Sequence, residues 1–450
     1  MEAQLIKDEN TFATAFREAM QTRKTIEPSW LSRLREDSFG NFERSGFPVV
    51  QEEEWKYTNV AAIAKTNFAP VLTRNGARAD DDWLASLAYE ETRHSRAVFL
   101  NGIFQPELSS LTALPKEVVV MELGEALLSD QHGDLARKYL ESGIQPEESG
   151  FTALNMALFS SGLFLKIPRG LRVEKPVHLL FVGQVDHEGA RPAAFPRVLI
   201  VGEENSSATI IESYASPNDE VYLTNAIMDV VLGDGARIEH YKVQRESLNA
   251  FHIATTRADL GPNAVYDTTT INFGAALSRH NIDVRMDQEG AECFVDGLYM
   301  IDGNQHSDTH SVIDHRQPRC RSHQLYKGIL DGKSRAVFNG KVFVRHGAQQ
   351  TDARQTNKNL LLSKDARIDT KPQLEIFADD VKCTHGAAVG QLEEDQVFYL
   401  ESRGLRPDLA RNLLTYGFAE EVIEKIKVDS IRRELDAAVL NRLHVELDVD

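Results

Sequence analysis

Gly233-Asp234-Gly235-Ala236-Arg237-Ile238 returns as Gly261-Pro262-Asn263-Ala264-Val265-Tyr266 and again as Glu289-Gly290-Ala291-Glu292-Cys293. Each time, a corner rich in Gly, Asp, Asn or Glu leads into a small residue, and a larger one follows two places later. Ala208 and Ile210, after Glu203-Glu204-Asn205-Ser206-Ser207, open the series, so the alanines step by 28, 28 and 27 residues. The unit returns at Ala336 with Phe338 and at Ala366 with Ile368, 30 residues apart. A fixed period of this size marks a repeat architecture, and β-branched or aromatic runs between turn residues make it a β repeat.

Side chains alternate faces along a strand, so each Ala and its apolar follower share one face. The residues between and beside them, Thr209 and Ile211, Arg237 and Glu239, Val265 and Asp267, Arg367 and Asp369, are mostly polar; the Ala face therefore points inward. Further strands, near residues 221–231 and 252–257, place two strands in each period. The expected fold is mainly β, a stacked solenoid whose coils bury their apolar faces only against one another.

Outside residues 197–392 the texture changes. Phe12, Phe16 and Met20 lie at helical spacing, and Ser29 is expected to cap a second helix carrying Trp30, Leu31 and Leu34. A strand is expected over 96–103 and a helix over 130–141. Beyond Gly404, three short amphipathic helices are expected: Leu409, Leu413 and Tyr416 after Pro407; Phe418, Val422 and Ile426; and Ile431, Leu435, Ala438, Val439 and Leu443. The domains expected are an α-rich unit over 1–150, a β-helix over 151–402 and a helical unit over 403–450. Apolar surface left on the last of these is either a docking site or a cap over the last coil.

The formal charge of -18 over 450 residues argues against a nucleic-acid surface. No apolar run approaches a membrane span, and Met1-Glu2-Ala3-Gln4-Leu5-Ile6-Lys7-Asp8 lacks a signal-peptide core, so a cytoplasmic protein is expected. Cys293, Cys320 and Cys383 are odd in number and far apart, which suits a reducing compartment.

Chemistry concentrates in Lys382-Cys383-Thr384-His385-Gly386. Cys383 and His385 would project from one strand face about 6.6 Å apart, and thiolate with imidazole suits iron or an iron-sulfur cluster. Two ligands are an incomplete set. Cys293 falls in the apolar column and Cys320 in the Ala column, as small buried hydrophobes. Cys383, 17 residues after Ala366, fits the Ala column at a half-coil step; it should face inward, and a usable ligand there needs an opening at the end of the solenoid. His306, His310, His315 and His323 match no zinc spacing and are expected in turns or on faces. P-loop and Gly-x-Ser-x-Gly patterns are absent. A carbohydrate-active β-helix enzyme would need paired carboxylates on one outer face, for which Asp267, Asp283 and Asp296 are available. A metal-free interaction module is the third possibility.

The segment Glu54-Trp55-Lys56-Tyr57-Thr58-Asn59, the run Phe164-Leu165-Lys166-Ile167-Pro168-Arg169-Gly170 with Glu174-Lys175-Pro176, residues 308–315, Tyr326-Lys327-Gly328, Phe338-Asn339-Gly340-Lys341, the Cys383–His385 strand and Arg403-Gly404 together resemble the SufB/SufD family of iron-sulfur cluster assembly proteins. The resemblance covers nearly the whole chain and is nearer the SufD branch. It implies a right-handed parallel β-helix between N- and C-terminal helical domains, working as a non-enzymatic scaffold. It implies pairing with SufB through the β-helices, with His385, and Cys383 beside it, contributing to a shared site where iron or a nascent cluster is held transiently. It also implies docking of a SufC ATPase of the ABC type on the C-terminal helices, where Leu409, Leu413, Tyr416, Phe418 and Val422 are the candidates. The SufB cluster cysteine lies in a Cys-Gly-Ala-His-Thr strand; the matching Asp365-Ala366-Arg367-Ile368-Asp369 has none. Flavin binding and homodimerisation of the isolated chain stay open.

Overall fold

The computed structural model describes residues 11–74, 81–142, 149–185, 189–217 and 219–442. From Arg197 onward the strands alternate between two sheets. The first sheet takes Arg197–Gly202, Leu223–Leu232, Phe251–Leu260, Leu277–Met286, His306–His315, Arg335–Val344 and Arg367–Ile376. The second takes Ser207–Ala215, Arg237–Arg245, Val265–Asn272, Glu292–Ile301, Arg321–Leu330, Thr351–Leu361 and Val381–Gly390. All these neighbours pair in parallel, giving a β-solenoid of about seven turns.

The inward columns run unbroken across the rungs. In the second sheet Ile238 lies beside Tyr266, then Cys293, Ser322, Ala353 and Cys383. Ala236, Ala264, Ala291 and Cys320, two places earlier, are all fully buried. Two details of the expected register are corrected. Ala208 pairs with Ile238 rather than with Ala236, because that coil is two residues longer; a slip of two preserves which face points inward. Ala336 and Ala366 belong to the first sheet, where Ala336 lies beside Ile368. Each coil turns two corners of similar composition, so the period alone does not say which sheet a corner feeds.

Aromatic side chains need glycines to lie flat in this interior. A Cβ on Gly297 would sit 2.2 Å from the Tyr326 ring, and one on Gly328 would sit 2.1 Å from the Tyr299 ring. The lumen also holds charge. Glu212 accepts from Tyr214 at 2.5 Å, His240 at 2.9 Å and Lys242 at 2.8 Å, all fully or almost fully buried. Burial opposes ionisation of Glu212, but Lys242 and His240 more than reverse this and hold its carboxyl well below the usual range.

The N-terminal region grows out of the solenoid rather than standing apart from it. Arg96–Leu100 adds to the second sheet beside Val177–Val182, and Val119–Glu122 to the first beside Gly162–Ile167. The boundary placed near 150 falls at the start of the helix Gly150–Leu158, wholly buried beneath the helix Ser29–Ser45. Arg23 and Arg35 reach across to the carbonyls of Ala157 and Phe159 at the end of that helix. Ser29 is not a cap: it is the first helical residue, after Pro28, and makes no capping bond. The expected strand over 96–103 ends at Leu100, and Ile103–Phe104 folds back on it. The expected helix over 130–141 is Gly133–Ser142.

The Trp-Lys-Tyr-Thr-Asn segment is a clamp onto the outer face of the first sheet. Arg279 lies 3.8 Å over the Trp55 ring and donates to the Glu54 carbonyl at 2.7 Å and to Asp308 at 2.8 Å. Thr58 donates to the same Asp308 oxygen at 2.5 Å. His310 bridges Asp308 at 3.1 Å and Glu54 at 3.3 Å. Burial alone would lower the His310 pKa, but Asp308 and its hydrogen bonds with both carboxylates raise it overall.

At the other flank the C-terminal helices differ from expectation. They are Glu394–Ser402, Pro407–Ile423 and Asp429–Arg442, so the first expected stripe and Phe418 and Val422 of the second lie on one helix that runs through Gly417, with Ile426 just past its end. A glycine with open space around it weakens a helix without ending one. The first helix lies inside the stretch assigned to the β-helix core. Leu443, expected in the last stripe, lies outside the described residues. Val422, Ile423, Ile426, Ile431, Leu435 and Val439 pack on Tyr241, Val243, Ile271, Leu298 and Met300 of the second sheet. Two charges set the register of this docking: Lys425 reaches the buried Asp296 at 2.6 Å, and the buried Lys327 donates to the Phe418 carbonyl at 2.8 Å.

Asp308→Ala strands a buried guanidinium, and a loss of about 3–5 kcal/mol is expected in urea unfolding. The His310 pKa is raised on folding, so its stabilisation is fully present below its unfolded value of about 6.5 and is lost as pH rises through the higher folded value. The stability gap between wild type and His310→Gln should therefore be widest in mild acid and shrink above neutrality.

Candidate functional site: the open rung

The two sheets end differently. At the start they are covered by N-terminal strands and helices. At the finish Arg367–Ile376 and Val381–Gly390 are, among the described residues, the last strands of their sheets, each with one edge unpaired. In the penultimate rung of the second sheet Ala353, Gln355, Asn357 and Asn359 are buried. Their in-register neighbours Cys383, His385, Ala387 and Val389 are half-buried or exposed. Ile376 at 41%, Phe377 at 46% and Val389 at 48% are exposed around the same opening, a large apolar fraction for a free surface.

Cys383 faces the lumen, as expected, but through a different column. It continues Ile238, Tyr266, Cys293, Ser322 and Ala353 rather than the Ala column. Because no further rung covers it, the thiol is half-buried, and the tension between an inward ligand and a reachable one disappears. Burial pushes its pKa up, so the thiol is neutral at physiological pH. His385 is on the same strand face two residues on, exposed at the mouth. Cys293 and Cys320 are sealed, the latter donating to the Gln288 carbonyl at 3.3 Å.

No cluster of three or more His, Cys, Asp or Glu side chains arranged to hold a metal ion occurs among the described residues. The four clustered histidines serve other ends. His306 meets Thr58 at 2.9 Å and His310 belongs to the clamp. His315 is buried against Ser322 at 2.8 Å, with its pKa lowered by desolvation to about 4, and His323 faces Asp296 at 3.6 Å. Nor do the acidic residues form a free catalytic pair. Asp296 is engaged by Lys425, Asp283 lies on the other sheet paired with Arg285, and Asp267, pushed up to about 6 by burial, lies close to Lys427.

The docking candidates divide along their helix. Leu409 and Leu413 are exposed, at 38% and 48%. Tyr416 and Phe418 are partly buried, Tyr416 donating to Asp436 at 3.1 Å and Phe418 lying under Lys327. Val422 is fully buried against the solenoid, so it fixes the helix and leaves its outer face to Leu409 and Leu413. Phe398 at 69% and Tyr399 at 57%, on the unexpected helix Glu394–Ser402, extend the same kind of exposed apolar surface. They are not legible in the sequence, where residues 394–402 fall within the stretch expected to be β-helix. Among the described residues no helix is long and apolar enough to cross a membrane.

A two-sheeted parallel β-solenoid with one covered end, one open end and helices fastened along a flank defines the class of fold. Residues 184–418 match the SufBD core domain of SUF-system iron-sulfur cluster assembly, and residues 6–179 match the SufBD N-terminal region. The chain is 38% identical to an iron-sulfur cluster assembly SufBD family protein of Synechocystis, over 87% of this chain and 86% of that one. It is 32% identical to SufD of Escherichia coli, over 89% and 90%, and 28% identical to SufD of Bacillus subtilis, over 93% and 95%. The chain belongs to the SufBD family of iron-sulfur cluster assembly proteins.

Thiol accessibility gives a direct check. In the native chain a maleimide should label Cys383 alone, more slowly than a free exposed thiol, with Cys293 and Cys320 reacting only on unfolding; mass spectrometry of the digested adduct reads all three.

Proposed function

We propose that this chain is the SufD-like scaffold subunit of an iron-sulfur assembly complex, and that its open rung is where a SufB-type partner continues the solenoid. The observation supporting this is the bare ten-residue edge of Val381–Gly390 beside an uncovered apolar mouth. Exposed strand edges are pairing templates that free proteins normally blunt. A partner rung set against this edge would satisfy its backbone groups, cover Ile376, Phe377 and Val389, and bring new ligands to Cys383 and His385. Iron or a nascent cluster is then cargo held between two chains, this one supplying a thiol and an imidazole.

The helix Pro407–Ile423 is the proposed seat of an ABC-type ATPase, through Leu409 and Leu413. Its inner face is fastened to the second sheet by Val422 and by the bond from Lys327 to the Phe418 carbonyl. Tyr326, the residue before Lys327, fills the lumen against Gly297. Movement of the helix therefore has a short packed route to the rungs beneath the mouth.

Co-expression with a SufB-type partner and the ATPase tests both halves. His385→Ala should lower iron and sulfide in the purified complex several-fold without dissociating it, whereas unchanged iron and sulfide would refute its part in the site. Leu409→Glu with Leu413→Glu should abolish ATPase pull-down while leaving the melting temperature of the isolated chain within a few degrees; retained pull-down would refute the docking face. An isolated chain that sediments as a dimer with labelling of Cys383 suppressed would show the open rung pairing with itself.

A further inference from the structure

The column of side chains beneath His385 is a polarised stack of amides. Gln324, Gln355 and His385 are in-register neighbours on three successive rungs of the second sheet, so all three side chains share the lumen face. Gln324 donates its Nε2 to Ser311 Oγ at 2.8 Å, and Gln355 donates its Nε2 to Gln324 Oε1 at 2.8 Å. Neither amide thus spends its N–H on His385: Gln355 gives it to the rung below and Gln324 gives it across the lumen to Ser311. Gln355 is 2% exposed, and its Oε1 is shut off from solvent with no donor among the described residues. A buried acceptor in that state demands a partner.

Space for this arrangement is made on the facing sheet by Gly340, of the Phe-Asn-Gly-Lys motif. A Cβ there would fall 2.4 Å from Gln355 Nε2. The motif therefore has a physical purpose not visible in its sequence: it lets a glutamine lie across the lumen one rung below the mouth.

We infer that Gln355 is a positioning residue for His385: a turn of the exposed imidazole, one rung away on the same face, brings one ring N–H to this unfilled acceptor, fixing the tautomer and leaving the other nitrogen's lone pair free. An imidazole binds a metal through a neutral nitrogen, and the hydrogen bond made by its other nitrogen decides which one is free. The amide stack is anchored at Ser311, two rungs below His385, and keeps the acceptor in place before a partner or cargo arrives. The inference rests on the reading of His385 as this chain's ligand.

The test is the tautomer itself, read from ring-nitrogen shifts of the full-length chain labelled with ring-15N histidine, at about pH 8 where a histidine of ordinary pKa is neutral. His385 is assigned by the signals lost in His385→Asn. Wild type should show one dominant tautomer. Gln355→Leu should raise the minor tautomer several-fold, and Gln355→Glu, which keeps an acceptor at the same place, should restore the wild-type ratio. Gly340→Ala, which displaces the amide without changing it, should act as Gln355→Leu does; matching the fold of each variant to wild type by circular dichroism excludes a trivial loss of structure. A mixed population in wild type, or an unchanged ratio in Gln355→Leu, overturns the inference. Iron retained by the His385→Ala complex, with tautomer control intact, would instead overturn only the ligand reading.

Discussion

A rung of a parallel β-solenoid satisfies its backbone and buries its inward side chains only against the rung on either side. Everything distinctive about this chain follows from how that requirement is met at the two ends. At the start, Arg96–Leu100 and Val119–Glu122 lie against the opening strands of both sheets and the helices of residues 11–45 and 150–158 cover what remains. At the finish nothing among the described residues plays that part, and the same inward columns that are sealed at Ala353 and Gln355 emerge at Cys383 and His385. A thiol in the column of Cys293 would be inert anywhere else in the molecule. Position on the last rung, rather than residue type, makes Cys383 reachable.

The flanking elements are held to the solenoid by the same device: a charge buried on the outer face of a sheet that only the right neighbour can satisfy. Asp308 takes Arg279, Thr58 and His310, which binds the N-terminal clamp to the first sheet. Asp296 takes Lys425, and Lys327 takes the Phe418 carbonyl, which binds the helices to the second. A buried charge left unpaired costs several kcal/mol, so these contacts exclude misplaced docking more than they add affinity. Two motifs legible as resemblance, Trp-Lys-Tyr-Thr-Asn and Tyr-Lys-Gly, are explained by this fastening rather than by chemistry.

Much of the solenoid could be read from the chain because inward alanines recur after Gly- and Asp-rich corners, and corners need residues tolerant of positive φ: Asn205, Gly235, Asn263 and Gly290 all have it. What the period could not convey was which of two similar corners each alanine follows, hence the misplaced Ala336 and Ala366. Helix limits failed for a local reason: Gly417 looks like a break yet lies within a helix, and Glu394–Ser402 has too little apolar pattern to stand out from the strand before it. The pair Cys383 and His385 was visible as spacing. Its setting was not, since Gln355 is 30 residues away and Gly340 lies on the opposite sheet.

The one-sidedness of the capping also limits stoichiometry. A solenoid bare at both ends could add neighbours indefinitely and grow into a filament. Here one end is buried beneath the chain's own amino-terminal helices and, among the described residues, one end remains bare, so a subunit abutting it would use up that site of propagation. Were two such edges to meet, the assembly would close at two solenoids, with Cys383 and His385 at its midpoint.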